Sequence, residues 1–188
     1  MASISFHPLT VDRIVYLDVE YVSLKCEELT GTSPSSVLTK TEGGRADLGI
    51  SVLKAGIHTQ ESRSYSLSSF GMLQEINHEL SKIGELTLEA FNSGAGSKVG
   101  WVDGNLTLGA WSNPKTGERQ EIFELISGKR NLSLLAKSEY FYPGIGGILG
   151  ASQALKLNVD LPVRMLGKVH YYVEGARTFV VTPLVISE

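Results

Sequence analysis

From Leu86 to Val185 the chain runs in short stretches where apolar and polar residues alternate, interrupted by Gly, Asn and Pro. A period of two places successive side chains on opposite faces, so the pattern predicts strands with one face buried and the other wet. The predicted strands are Leu86–Phe91, Val99–Ser112, Glu118–Ile126, Leu132–Ala136, Ala154–Leu161, Val163–Val173 after Pro162, and Thr178–Ile186. Asp103-Gly104 reads as a break inside the second of these. Asn113-Pro114-Lys115-Thr116-Gly117 is a hairpin turn in which Pro presets φ and Gly accepts a left-handed conformation. Ser93–Ser97, Ser127-Gly128-Lys129 and Glu174-Gly175-Ala176 read as further turns.

The first half has a different period. Arg13–Leu17 is a β-branched and aromatic run that predicts a strand. Asp18 follows in a position suited to an N-cap, and Val19, Val22, Cys26 and Leu29 form an apolar stripe at helical spacing. Gly31 stops that helix. A longer helix is predicted from Leu67 to Ile83, with Leu67, Phe70, Leu73, Ile76, Leu80 and Ile83 on one face and Met72 beside them. Hydroxyls of Ser62–Ser69 are placed to cap it. Thr30–Ala46 reads as a loop, and Leu48–Tyr65 as a loosely alternating connection.

These elements predict one α+β domain, with a helix-containing front at 1–84 and a β-rich back at 85–188. The expected architecture is a mostly antiparallel twisted sheet of about six to eight strands, closing into a partial barrel. The long amphipathic helix packs on it, and the short N-terminal helix covers an end or the same face.

Composition changes this picture little. The chain has 188 residues, enough for one substantial core. The formal net charge of −3 argues against binding driven by nucleic-acid phosphates. Cys26 is the lone cysteine, which fits a reducing, cytoplasmic compartment. The first residues lack a basic and apolar leader, and no run of about 18 apolar residues predicts a membrane span.

The tetrad Val15-Tyr16-Leu17-Asp18 opening a helix, together with Met165-Leu166-Gly167-Lys168-Val169 near the end, resembles an uncharacterised group of bacterial proteins. Members of that group open with a YLD strand-to-helix motif and close with a G-K/R-V strand. The resemblance touches two short segments and implies a bacterial cytoplasmic protein. It carries over no activity and no catalytic residue.

Chemistry is sparse. Asp18 and Glu20 at a strand end form an acidic pair, which capping alone accounts for. Gly144-Ile145-Gly146-Gly147-Ile148-Leu149-Gly150 approximates a dinucleotide fingerprint, but the last glycine arrives late and Pro143 interrupts the preceding strand. The same loop, with Tyr140, Phe141 and Tyr142, reads better as the rim of a ligand or partner site. Lys129 and Arg130 sit together at a turn, with Lys137, Lys156, Arg164, Lys168 and Arg177 on later segments. If these gather on one sheet face they can bind an anion, a nucleotide or RNA; if they scatter they only solvate the surface. His7, His58, His78 and His170 show no metal-ligand spacing. Glu121 and Glu124 lie an odd number apart and so point to opposite faces of a regular strand.

The expected binding residues are therefore Tyr140, Tyr142, Gly144, Gly146, Gly147, Lys129 and Arg130, with no catalytic or metal site and no cofactor. Two function classes stay open. One is a non-enzymatic binding or interaction module for a small ligand or a protein partner. The other is a small hydrolase or nucleotide-processing enzyme whose site assembles only in three dimensions. Trp101, Trp111 and the Tyr140–Tyr142 cluster offer aromatic surface for a homo-oligomer.

Overall fold

The structure is a computed structural model that describes residues 9–31, 67–88, 96–112, 116–117, 119–142 and 159–188. Eight principal elements follow in chain order. Strand β1 (Ile14–Leu17) leads into helix α1 (Val19–Thr30), and helix α2 covers Leu67–Ser81. The remaining strands are β2 (Lys98–Ser112), β3 (Arg119–Ser127), β4 (Arg130–Leu134), β5 (Leu161–Val173) and β6 (Thr178–Ser187). The fold is α+β, with a mostly antiparallel sheet.

Local chemistry accounts for the ends of α1. The Asp18 carboxylate accepts the Tyr21 N–H at 3.0 Å, which satisfies one orphan donor of the first turn. Gly31 closes the helix at φ 69°, and its N–H returns to the Glu27 carbonyl.

Strand pairing closes the sheet on itself. β2, β3 and β4 form an antiparallel meander, and β5 returns to lie beside β2. That spatial order is a Greek key. β6 then pairs antiparallel with β5 and parallel with β4, which joins the two outer strands into a five-stranded barrel. β1 adds to the later part of β6 as a sixth strand. Small Greek-key barrels include the OB-fold. Barrels of this kind host unrelated activities, so the architecture assigns none.

β2 makes this closure possible because it serves two neighbours. Its first half pairs with β5 and its second half with β3, overlapping at Asn105 and Leu106. The Asp103-Gly104 dipeptide, expected to break the strand, lies inside a continuous β2. Gly104 is present for a different reason: a Cβ there would sit 2.6 Å from the Ile126 carbonyl oxygen. The glycine lets β3 cross close to β2 where the barrel curves.

Two apolar clusters result. One fills the barrel with Val102, Leu106, Leu125, Leu132, Met165, Val169 and Val181, and Tyr16, Tyr140 and Phe141 pack against them. The other lies between the outer wall and the helices, where Trp101, Leu166 and Val185 meet Val22, Cys26, Leu73, Ile76 and Leu80. β6 contributes to both, since Val181 and Ile186 face the barrel while Leu184 and Val185 face the helices. Nine of its ten residues are buried as a consequence.

Several expectations need correction. Leu29 continues the predicted stripe of α1 but is 43% exposed, because the helix packs through Val22 and Cys26. α2 ends at Ser81, and Lys82 and Ile83 form a turn by donating to Glu79 and Leu80 carbonyls. The described part of Leu86–Phe91 is not a strand; Glu85 makes a single parallel bridge to Trp101. β4 begins at Arg130 rather than Leu132. The predicted segments 32–65, 89–95 and 151–158 lie outside the described residues. Among the described residues, no helix is long and apolar enough to cross a membrane.

Candidate functional site

A cleft of about 720 Å³ opens on the outer wall of the barrel. Asp103, Asn105 and Thr107 line it from β2, Ile126 from β3, Gly128 from the β3–β4 turn, and Val159 and Asp160 from the approach to β5. Period-two geometry explains the set. Asp103, Asn105 and Thr107 share one face of β2, and Ile126 stands directly across from Asn105. Trp101, two residues before Asp103 on the same face, is the position that α2 covers. The space falls within the range of small-molecule sites.

Asp103 is held by its neighbour across the strands. Arg164 faces it on β5, with Nε 3.7 Å from the Asp103 carboxylate and Nη2 3.4 Å from Glu85. The Arg164 guanidinium also lies 5.3 Å from the Trp101 ring centroid. Asp160, before β5, is exposed and also lines the cleft. The cleft is thus lined by polar Asp103, Asp160, Asn105 and Thr107 and by apolar Ile126 and Val159.

The expected binding residues fall in four places. Tyr140 is 1% exposed and belongs to the barrel core, so it rims nothing. Its ring meets Tyr16 edge-on at 6.0 Å, while Phe141 stacks on Phe123 at 4.2 Å. Tyr142 is exposed and its N–H donates to the Val15 carbonyl. Gly144, Gly146 and Gly147 lie outside the described residues. Lys129 and Arg130 sit at the β3–β4 turn, where Arg130 lies 6.0 Å over the Phe179 ring.

Tyr142 and Arg130 are not brought together. β6 runs from Thr178, beside Asn131, to Ile186, beside Tyr16. That span is about 26 Å at roughly 3.3 Å per residue. Tyr142 stands at one end of it and Arg130 at the other.

The acidic pair after β1 is tied into structure. Lys137 donates to Glu20 at 2.9 Å and to the Tyr140 hydroxyl at 3.3 Å. The Glu20 hydrogen bond holds the Lys137 ammonium above its usual range. Burial pushes the Asp18 carboxyl up, opposed by the Tyr21 amide. His170 shares a hydrogen bond with the Thr182 hydroxyl at 2.8 Å, as a satisfied residue of a sheet face does. Cys26 is buried, and its thiol is pushed up by desolvation and then by Glu75, whose carboxylate lies 3.7 Å away. Among the described residues, no three His, Cys, Asp or Glu side chains converge as metal ligands.

The cleft has no local mark in the sequence, because Asp103-Gly104 is a pair of residue types that turns favour. The available signal was the polar face Asp103, Asn105, Thr107 alternating with Val102, Leu106 and Leu108. Comparison with protein-family models, curated proteins and solved structures finds no match to this chain.

Proposed function

We propose that this chain is a non-enzymatic binding module of the bacterial cytoplasm, taking a small polar ligand in the cleft beside β2. The observation that carries the reading is the cleft itself: about 720 Å³ lined by two carboxylates, an amide, a hydroxyl and two apolar side chains. Acceptor-rich walls suit a ligand that donates hydrogen bonds, either a polyhydroxylated molecule or an amine. Ile126 and Val159 would pack on its carbon skeleton. Gly128 leaves backbone open to close approach. The lone thiol Cys26 fits a reducing compartment.

Native mass spectrometry of freshly purified protein would show a retained small molecule. Saturation-transfer NMR with a panel of small sugars and diamines would follow. We expect binding that Asn105→Ala and Thr107→Val each weaken about tenfold without loss of fold, as removing a hydrogen-bond partner does. Binding unaffected by both changes, or no binding across the panel with no retained molecule, would remove this reading.

A further inference from the structure

We propose a second site, outside the cleft, for a phosphate-bearing small molecule at the barrel end where the β3–β4 and β5–β6 turns meet. The parallel pairing of β4 with β6 creates it. Asn131 stands opposite Thr178, and adjacent strands lie about 4.8 Å apart. Arg130, the first residue of β4, and Arg177, which immediately precedes β6, therefore have neighbouring backbones, and Lys129 adjoins them in the turn. Three cations from segments 47 positions apart in sequence are gathered at one end of the barrel.

Their surroundings leave that charge available. Among the described residues, no carboxylate lies within ion-pair distance of Lys129, Arg130 or Arg177. Glu174 is the one acidic residue of the two turns, and it contributes its backbone carbonyl to the Arg177 N–H. In a chain of net charge −3, these two turns carry an excess of two positive charges. The Arg130 guanidinium is also oriented, lying over Phe179, whose ring packs against Tyr172 at 4.8 Å.

The backbone supplies an independent indication. Arg177 has φ 51° and ψ 40°, and it is the only non-glycine residue with positive φ among the described residues. The left-handed region favours glycine, which would complete this turn without strain. An arginine kept there points to a use for its side chain, since strained backbone concentrates at functional sites.

The footprint selects the ligand. Three cations at two adjoining strand starts suit one phosphoryl or pyrophosphoryl group, and guanidinium pairs geometrically with its oxygens. A polynucleotide needs a track of cations along its backbone, and the acidic total does not provide one.

The test uses the full chain and inorganic pyrophosphate at low salt, followed by amide NMR and calorimetry. We expect saturable binding with shifts centred on Lys129, Arg130 and Arg177, weakened by added salt. Arg177→Gly should keep the fold, relieve the turn and lower affinity at least about tenfold. Lys129→Ala should weaken binding by a smaller factor, which provides a second reading if the first variant misfolds. Absence of saturable binding, shifts elsewhere, or affinity unchanged in both variants would overturn the proposal. So would a single-stranded thymidine oligomer binding here much more tightly than pyrophosphate. The cleft variants Asn105→Ala and Thr107→Val should leave pyrophosphate binding intact, which separates this inference from the cleft reading.

Discussion

The indole N–H of Trp101 donates to the carbonyl of Leu80 at 2.9 Å, joining the middle of the barrel wall to the end of α2. The Trp101 backbone adds two bonds to the chain leaving that helix: its N–H donates to Gly84 at 3.0 Å, and its carbonyl accepts from Leu86 at 2.8 Å. Helix and barrel are therefore registered by one residue, buried to 1% exposure. Trp101→Phe keeps most of the packing and removes the indole bond. Because Leu80 also accepts from Ile83, the expected loss is about 0.5–1.5 kcal/mol. Trp101→Ala should cost about 3–5 kcal/mol. Urea denaturation of both variants measures the difference.

Phe141 and Tyr142 are neighbours with opposite fates. Phe141 stacks on Phe123 and meets Tyr16 edge-on at 4.9 Å, whereas the Tyr142 side chain is exposed. Phe141→Ala should destabilise by about 3–5 kcal/mol, and Tyr142→Ala by no more than about 0.5 kcal/mol. Equal losses in thermal denaturation would contradict this placement of the segment.

Two glycines give a contrast that tests the barrel crossing. A Cβ at Gly104 would press on the Ile126 backbone, which cannot swing aside, so Gly104→Ala should cost about 1–3 kcal/mol. Nothing lies within 4 Å of a Cβ at Gly71 in α2, so Gly71→Ala should stabilise by about 0.5–1 kcal/mol. Melting curves of the two variants should move in opposite directions.

Glu124 carries a pH dependence. Its carboxylate lies against Gly109, whose added Cβ would overlap it, and burial pushes its pKa above the ordinary 4.5. The folded state then holds the proton more tightly than the unfolded state. This group's contribution falls as pH rises from 4.5 through the raised folded value, and it stays low above that. Glu124→Gln should flatten the stability profile across that window and raise stability at neutral pH. Denaturation midpoints compared between pH 4 and 8 check the sign; a variant profile as steep as the parent's would refute it.

The sequence was most legible where one face of an element is wet. α2 shows its face through Leu73, Ile76 and Leu80, and Asp18 and Gly31 mark both ends of α1. The site was less legible. Lys129 and Arg130 stood out as adjacent cations, but only the β4–β6 pairing puts Arg177 beside them. Asp103-Gly104 looked like a break because the barrel crossing at Gly104 uses the same small and polar types that turns use. Tyr140 looked like a recognition aromatic because no local pattern separates a ring that closes a barrel from one that faces solvent.

By itself the chain determined the helices and most strands, since hydrophobic period, caps and turn residues act over a few positions. Tertiary structure alone decided which strands became neighbours, and with that which charges and acceptors share a surface. The reason is physical: the parallel contact of β4 with β6 rests on backbone hydrogen bonds and apolar burial between distant segments, and these leave no periodic trace in either segment.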